Sequence, residues 1–189
     1  RMLIGKKLTR GLGAGSEPST GEGAAEEARA DILEACKDAD IVFLTGGLGG
    51  GTGTGSLPVI AKLAKERGAL TIAIVTLPFN NEGARRTKNA RLGLDRLRKC
   101  ADTVIVIPND RLLQEEIMNL PLNLAFRQAD EILGNAIKCM TEITSQGGLV
   151  NIDFADMRSI MDGGGVAMIG MGEGQGPNRA SDAVIAALT

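Results

Sequence analysis

Short apolar runs alternate with amphipathic stretches along this chain. The segments DIVFLTG (40–46), LTIAIVTLP (70–78), TVIVIPND (103–110) and VAMIGMG (166–172) are apolar at most positions and β-rich. Continuous runs of this kind predict strands buried on both faces, as in a parallel sheet. RMLIG (1–5) predicts a further short strand. Between the runs the spacing turns helical. AAEEARADILEACKDA (24–39) places Ala28, Ile32, Leu33 and Cys36 on one face. A helix is predicted from about Ser56 to Arg67, with Ser56 as cap, Pro58 in the first turn and Gly68 as stop. NEGARRTKNARLGLDRLRKCA (81–101) predicts another, strongly basic. One long helix is predicted from Pro121 to about Ser145, with Leu124, Ala129, Leu133, Ala136 and Met140 among its apolar positions. A short helix follows within residues 146–165, and NRASDAVIAALT (178–189) starts a last one.

This alternation predicts an α/β protein: a Rossmann-like parallel sheet with helices on both faces. Such sheets bind ligands at the carboxyl ends of their strands. Four loops then share one rim: GLGAGS, TGGLGGGTGTGS, LPFNNEG and IPND.

Composition narrows the chemistry by what is missing. Histidine is absent from the 189 residues, which removes the commonest general base and histidine metal ligands. Tryptophan and tyrosine are absent and phenylalanine occurs four times, so base-stacking surfaces for single-stranded nucleic acid are scarce. A net charge of −2 points to neither nucleic acid nor an anionic membrane. No apolar run approaches the ~18 residues of a membrane span, and no signal-peptide pattern is seen. Cys36, Cys100 and Cys139 lie far apart without a CxxC, which favours reduced thiols over zinc or a disulfide framework.

The richest signal is TGGLGGGTGTGS, Thr45 to Ser56, with seven glycines in twelve residues. It follows a predicted strand and leads into a predicted helix. A glycine turn in that setting gathers backbone N–H groups at a helix N-terminus, where an anion is favoured. The hydroxyls of Thr52 and Thr54 can add donors, and a phosphate is the natural guest. A plain flexible turn is the alternative. No lysine follows the glycines, so the loop is not a P-loop, and GxGxxG occurs nowhere. That weighs against a dinucleotide-dependent oxidoreductase.

GGGTGTG (49–55) resembles the signature loop of the tubulin/FtsZ GTPase superfamily. LTRGLGAGSEP, TLPFNNEGARR, VIPNDRLL, PLNLAFRQADEIL and GLVNIDFADMRSIM are similar to further segments of its FtsZ branch, in the same order. The likeness covers nearly the whole chain. It implies the tubulin-like GTPase fold, GTP and GDP as ligands, and magnesium. It implies that Gly49, Gly50, Gly51, Thr52, Gly53 and Thr54 hold phosphates, and that Ala14, Gly15 and Ser16 sense the terminal one. Glu82 and Arg86 would contact the ribose and phosphate region, although at i,i+4 they also suit a solvated salt bridge. Asn109, Phe126 and Asp130 would form the guanine pocket. One carboxylate can accept both N1–H and the amino group of guanine, a donor pair adenine lacks. Phe126 alone suits core packing equally well.

The resemblance also nominates Asn151, Asp153 and Asp156 as catalytic. Aspartates near a helix start can equally serve as caps. A helix of some 22 residues would carry them about 33 Å from the nucleotide rim. They would therefore act in trans, on the GTP of the next copy in a head-to-tail filament. The implied division of the chain is 1–122 for the GTPase domain, 123–146 for a connecting helix and 147–189 for the start of a second α/β domain. Implied partners are the chain itself and, through segments outside it, membrane-tethering and regulatory division proteins; no nucleic acid and no membrane insertion are expected. The implied setting is the cytoplasm at the division site. The start at Arg1 and the end inside a helix suggest a piece of a longer protein, lacking the family's first strands and glycine turn. Such a piece is expected to bind GTP poorly and hydrolyse little alone. A homologue that assembles without hydrolysis stays open as an alternative.

Overall fold

A computed structural model describes residues 2–112, 122–145, 153–167, 169 and 172–188. Four strands form one sheet in the order β1-β2-β3-β4: β1 (Ile41–Gly47), β2 (Leu70–Leu77), β3 (Thr103–Pro108) and β4 (Gly165–Ala167). Every pairing is parallel. Ile41 lies opposite Leu70, Ile72 opposite Thr103, and Thr103 opposite Gly165. The predicted α/β architecture is thus observed.

Period-two alternation divides the core between the two faces of the sheet. Ala73, Val75 and Val104 pack with Leu57 and Ala61 of α3 (Thr52–Glu66) and with Ala90 and Leu97 of α4 (Ala84–Cys100). Ile72, Ile74, Ile105 and Ile107 pack with Ala136 and Met140 of α5 (Leu122–Ser145) and Met157 of α6 (Phe154–Met161). A third layer, α1 (Pro18–Glu27) and α2 (Arg29–Ala35), covers the outer side of α3 through Ala25, Ile32, Leu63 and Ala64. α7 (Arg179–Leu188) closes the described chain.

Three expectations need correction. Of RMLIG, the described residues 2–5 form no strand. Its segment turns back onto α1, where Gly5 N–H bonds the Ala24 carbonyl at 3.1 Å and Glu27 accepts the N–H groups of Lys7 and Leu8. The single helix over 24–39 is two: α1 begins earlier, at Pro18, and Ala28 separates it from α2. The helix expected from Ser56 begins at Thr52, so Ser56 is buried inside α3 and is not its cap. Pro58 is accommodated within the second turn of that helix.

Candidate functional site

A cavity of about 470 Å³ opens at the carboxyl ends of β1, β2 and β3. Thr45 to Leu48, Thr76 and Pro78 form its floor. Gly50, Glu82, Arg86, Asn109, Asp130 and Leu133 complete its walls. Five nominated residues, Gly50, Glu82, Arg86, Asn109 and Asp130, therefore surround one space. They come from four separate segments of the chain.

The glycine run is half loop and half helix. Gly49 has φ 112°, which an L side chain rarely adopts. Gly50 has no heavy atom within 4 Å of where a Cβ would stand, so its open side faces free space. Gly51 is pressed against Ala14 and Glu17, and a Cβ on Gly53 would lie 2.5 Å from the Gly47 carbonyl oxygen. Thr54 is buried, and its hydroxyl oxygen accepts the Gly49 N–H at 2.9 Å. Thr52 Oγ1 accepts the Ala14 N–H at 3.3 Å. The two threonines thus brace the loops from within. The first turn of α3 carries no side-chain cap, which leaves a helix N-terminus at the rim.

The neighbouring loop carries Ala14, buried, then Gly15 and Ser16 at φ 56° and 61°. It is held by a residue that sequence reasoning missed. Asn89 Nδ2 on α4 donates to the Ser16 carbonyl at 3.1 Å and to the Gly49 carbonyl at 3.3 Å. An asparagine in mid-helix, a poor position for that residue, was the available signal.

Glu82 uses one oxygen to accept the Phe79 N–H at 2.8 Å and pairs the other with Arg86. Asp110 accepts the Asn80 N–H at 3.1 Å, tying the loop after β2 to the one after β3. Asn109 is buried, yet its Oδ1 has no donor among the described residues. A buried acceptor without a donor is costly. Here it lines the same cavity as the exposed Asp130. One cavity is thus lined by the acceptors of Asn109 and Asp130 and by the Arg86 guanidinium paired with Glu82, with the uncapped start of α3 close in sequence to Gly50. That set of groups suits a ligand carrying both hydrogen-bond donors and anionic groups. The Phe126 side chain and Asn151 lie outside the described residues.

A profile of the Tubulin/FtsZ family, GTPase domain, matches residues 1–116. This chain belongs to the tubulin/FtsZ family. It is 58% identical over 188 residues to cell division protein FtsZ 1 of Thermococcus kodakarensis, covering 100% of this chain and 50% of that protein. It is 59% identical to cell division protein FtsZ of Methanothermobacter thermautotrophicus, covering 100% of this chain and 49% of that one. The chain spans about half the length of these curated relatives. Among solved structures it superposes on an empty FtsZ dimer from M. jannaschii with a TM-score of 0.93 and 56% identity, over 98% of this chain and 54% of that one.

The aspartates that the tubulin/FtsZ resemblance nominates stand elsewhere. Asp153 is the N-cap of α6, its Oδ1 accepting the Asp156 N–H at 2.8 Å, and both residues are exposed. The capping alternative is therefore realised, and it engages one oxygen of Asp153. α6 docks at the amino ends of the strands. Arg158 Nη2 donates to the Gly68 carbonyl just before β2, and Thr103 Oγ1, at the start of β3, donates to the Met161 carbonyl. The eight residues of β2, at about 3.3 Å each, separate this rim from the cavity by roughly 26 Å.

Proposed function

We propose that this chain is the nucleotide-holding part of a polymerising GTPase of the cell-division type. The convergence of Gly50, Glu82, Arg86, Asn109 and Asp130 on one cavity carries the reading. Asp130 accepts the N1–H and amino group of guanine, and the unpartnered Asn109 Oδ1 supplies a further acceptor. The family resemblance assigns Phe126 to the wall around the base. The N-terminus of α3 and the N–H groups of Gly49 to Thr54 hold phosphates, Arg86 screens their charge, and Ala14 to Ser16 lie toward the terminal phosphate. Magnesium, when bound, neutralises charge on the phosphates. Phosphoryl transfer rests on positioning and charge stabilisation, so a chain without histidine can support it.

Asp153 and Asp156, with Asn151, are proposed to orient the attacking water on the nucleotide of a neighbouring copy. Their place at the far rim supports action in trans, because the sheet separates them from the cavity of their own chain. A contact of cavity rim on acid rim is heterologous and propagates as a filament. The names of the relatives and the dimer described for M. jannaschii FtsZ support self-association in division.

Titration of the full-length protein with GTP, ATP and NADH checks the ligand. Tight GTP binding with ATP and NADH at least tenfold weaker is expected, and equal affinities would refute the reading. Hydrolysis by Asp153→Ala should fall at least a hundredfold with GTP affinity unchanged. Undiminished turnover would instead favour an assembly protein whose acids only cap a helix.

A further inference from the structure

Two backbone carbonyls from different glycine loops meet at one side-chain amide. Asn89 Nδ2 donates to Ser16 at 3.1 Å and to Gly49 at 3.3 Å, and nothing else in α4 joins the two loops this way among the described residues. Both loops are conformationally demanding at the point of contact. Ser16 sits at φ 61° and Gly49 at φ 112°. A non-glycine residue in the left-handed region persists only where its surroundings over-determine it. The bond to the Ser16 carbonyl is such a determinant. A second link runs between the same loops, from the Ala14 N–H to Thr52 Oγ1 at 3.3 Å, but it leaves the Ser16 and Gly49 carbonyls untouched. The amide of Asn89 is planar, and α4 fixes its position.

We propose that Asn89 is a positioning residue that sets the spacing of the two loops for a polyphosphate. The inference rests on the nucleotide reading above. A ligand with several phosphates touches both loops and gains only if they are already in register. A monophosphate is gripped by one loop and is indifferent to the spacing. The latch therefore acts on the difference between these ligands, which general weakening of the fold would not change.

The test is the ratio of GTP to GMP affinity in the full-length protein, for wild type, Asn89→Leu and Asn89→Asp. Leucine keeps the volume and removes the donor. Aspartate keeps the shape and sets carboxylate oxygens against two carbonyls. Loss of two hydrogen bonds should lower GTP affinity about tenfold or more while GMP affinity stays within about twofold. Asn89→Gln, which retains the amide, should recover part of the ratio. Hydrogen exchange gives an independent reading: amides of 14–17 and 49–54 should exchange faster together in Asn89→Leu, with β2 and β3 unchanged. If both substitutions leave the GTP to GMP ratio at the wild-type value, the latch is refuted. If GTP and GMP weaken equally, Asn89 is merely structural and the inference is again refuted. A wild type that binds no GTP overturns the nucleotide reading and the inference with it, and is recognisable because it precedes any substitution.

Discussion

Gly50 and Gly55 lie five residues apart in one run, and a methyl group would meet opposite fates at the two. At Gly50 it would enter open space on the cavity wall. At Gly55 it would stand 2.0 Å from the Pro18 carbonyl oxygen and 2.6 Å from the Glu22 nitrogen, where α1 crosses α3 backbone to backbone. Gly50→Ala should keep wild-type stability in urea and weaken nucleotide binding several-fold, because the methyl occupies ligand space. Gly55→Ala should lose about 3 kcal/mol of stability, because neither backbone can retreat. Equal stability losses would show that the run is only a turn. The run reads as a candidate phosphate loop because so much glycine between a strand and a helix costs folding entropy that a close-fitting anion can offset. Its second role was hidden. Glycine and threonine are weak helix formers, so local propensity moved the helix start to Ser56, whereas close packing of α1 draws it back to Thr52. Asn89 was hidden for a similar reason: its partners lie in distant loops, and no spacing rule connects them.

Among the elements, the strands were the most legible, because burial on both faces leaves β2 apolar at nearly every position. The predicted strand over residues 1–5 failed because two N–H groups of the following turn are taken by the Glu27 carboxylate, an interaction that hydropathy cannot register. A polar staple at the amino rim was equally silent. Asp102 is buried between β2 and β3. It accepts the Thr71 N–H at 2.9 Å and the Thr71 hydroxyl at 2.8 Å, and it pairs with Lys65 of α3. Burial pushes its carboxyl up, but Lys65 and the two Thr71 donors together outweigh burial and hold it below the ordinary carboxylate range. A depressed folded pKa contributes stability above the unfolded value of about 3.9 and loses it as pH falls through the folded one. In Asp102→Asn the one remaining oxygen can still accept both Thr71 donors, but the charge that strengthens those bonds and the oxygen facing half-exposed Lys65 are lost, so the cost at pH 7 should be about 1–2 kcal/mol. The difference from wild type should shrink steadily below pH 4. Urea midpoints for both proteins at pH 7, 4 and 3 provide the check, and a constant gap would remove the linkage.

At the scale of the whole molecule, the cavity and the exposed Asp153 and Asp156 occupy opposite ends of the strands. Their separation follows from topology. β3 ends at the cavity rim, α5 spans about 36 Å with its 24 residues, and α6 then docks beside the strand beginnings. No side-chain motion carries a carboxylate across the sheet, so a reaction needing both ends needs two copies. Complementation of two inactive variants decides this. On the proposed function, Asp130→Ala should lose the guanine contact but keep its acids, and a double variant, Asp153→Ala with Asp156→Ala, should bind GTP but have no acids to offer. Each alone should be nearly silent. When they are mixed, the acid rim of the first can dock on the loaded cavity of the second, and that interface contains everything the reaction uses. With random stacking roughly a quarter of the contacts have this order, so the equimolar mixture should recover up to about that share of the wild-type rate. Recovery should rise with total concentration, as association demands. A mixture as silent as its components, at concentrations where wild type assembles, would mean that hydrolysis is completed within one chain.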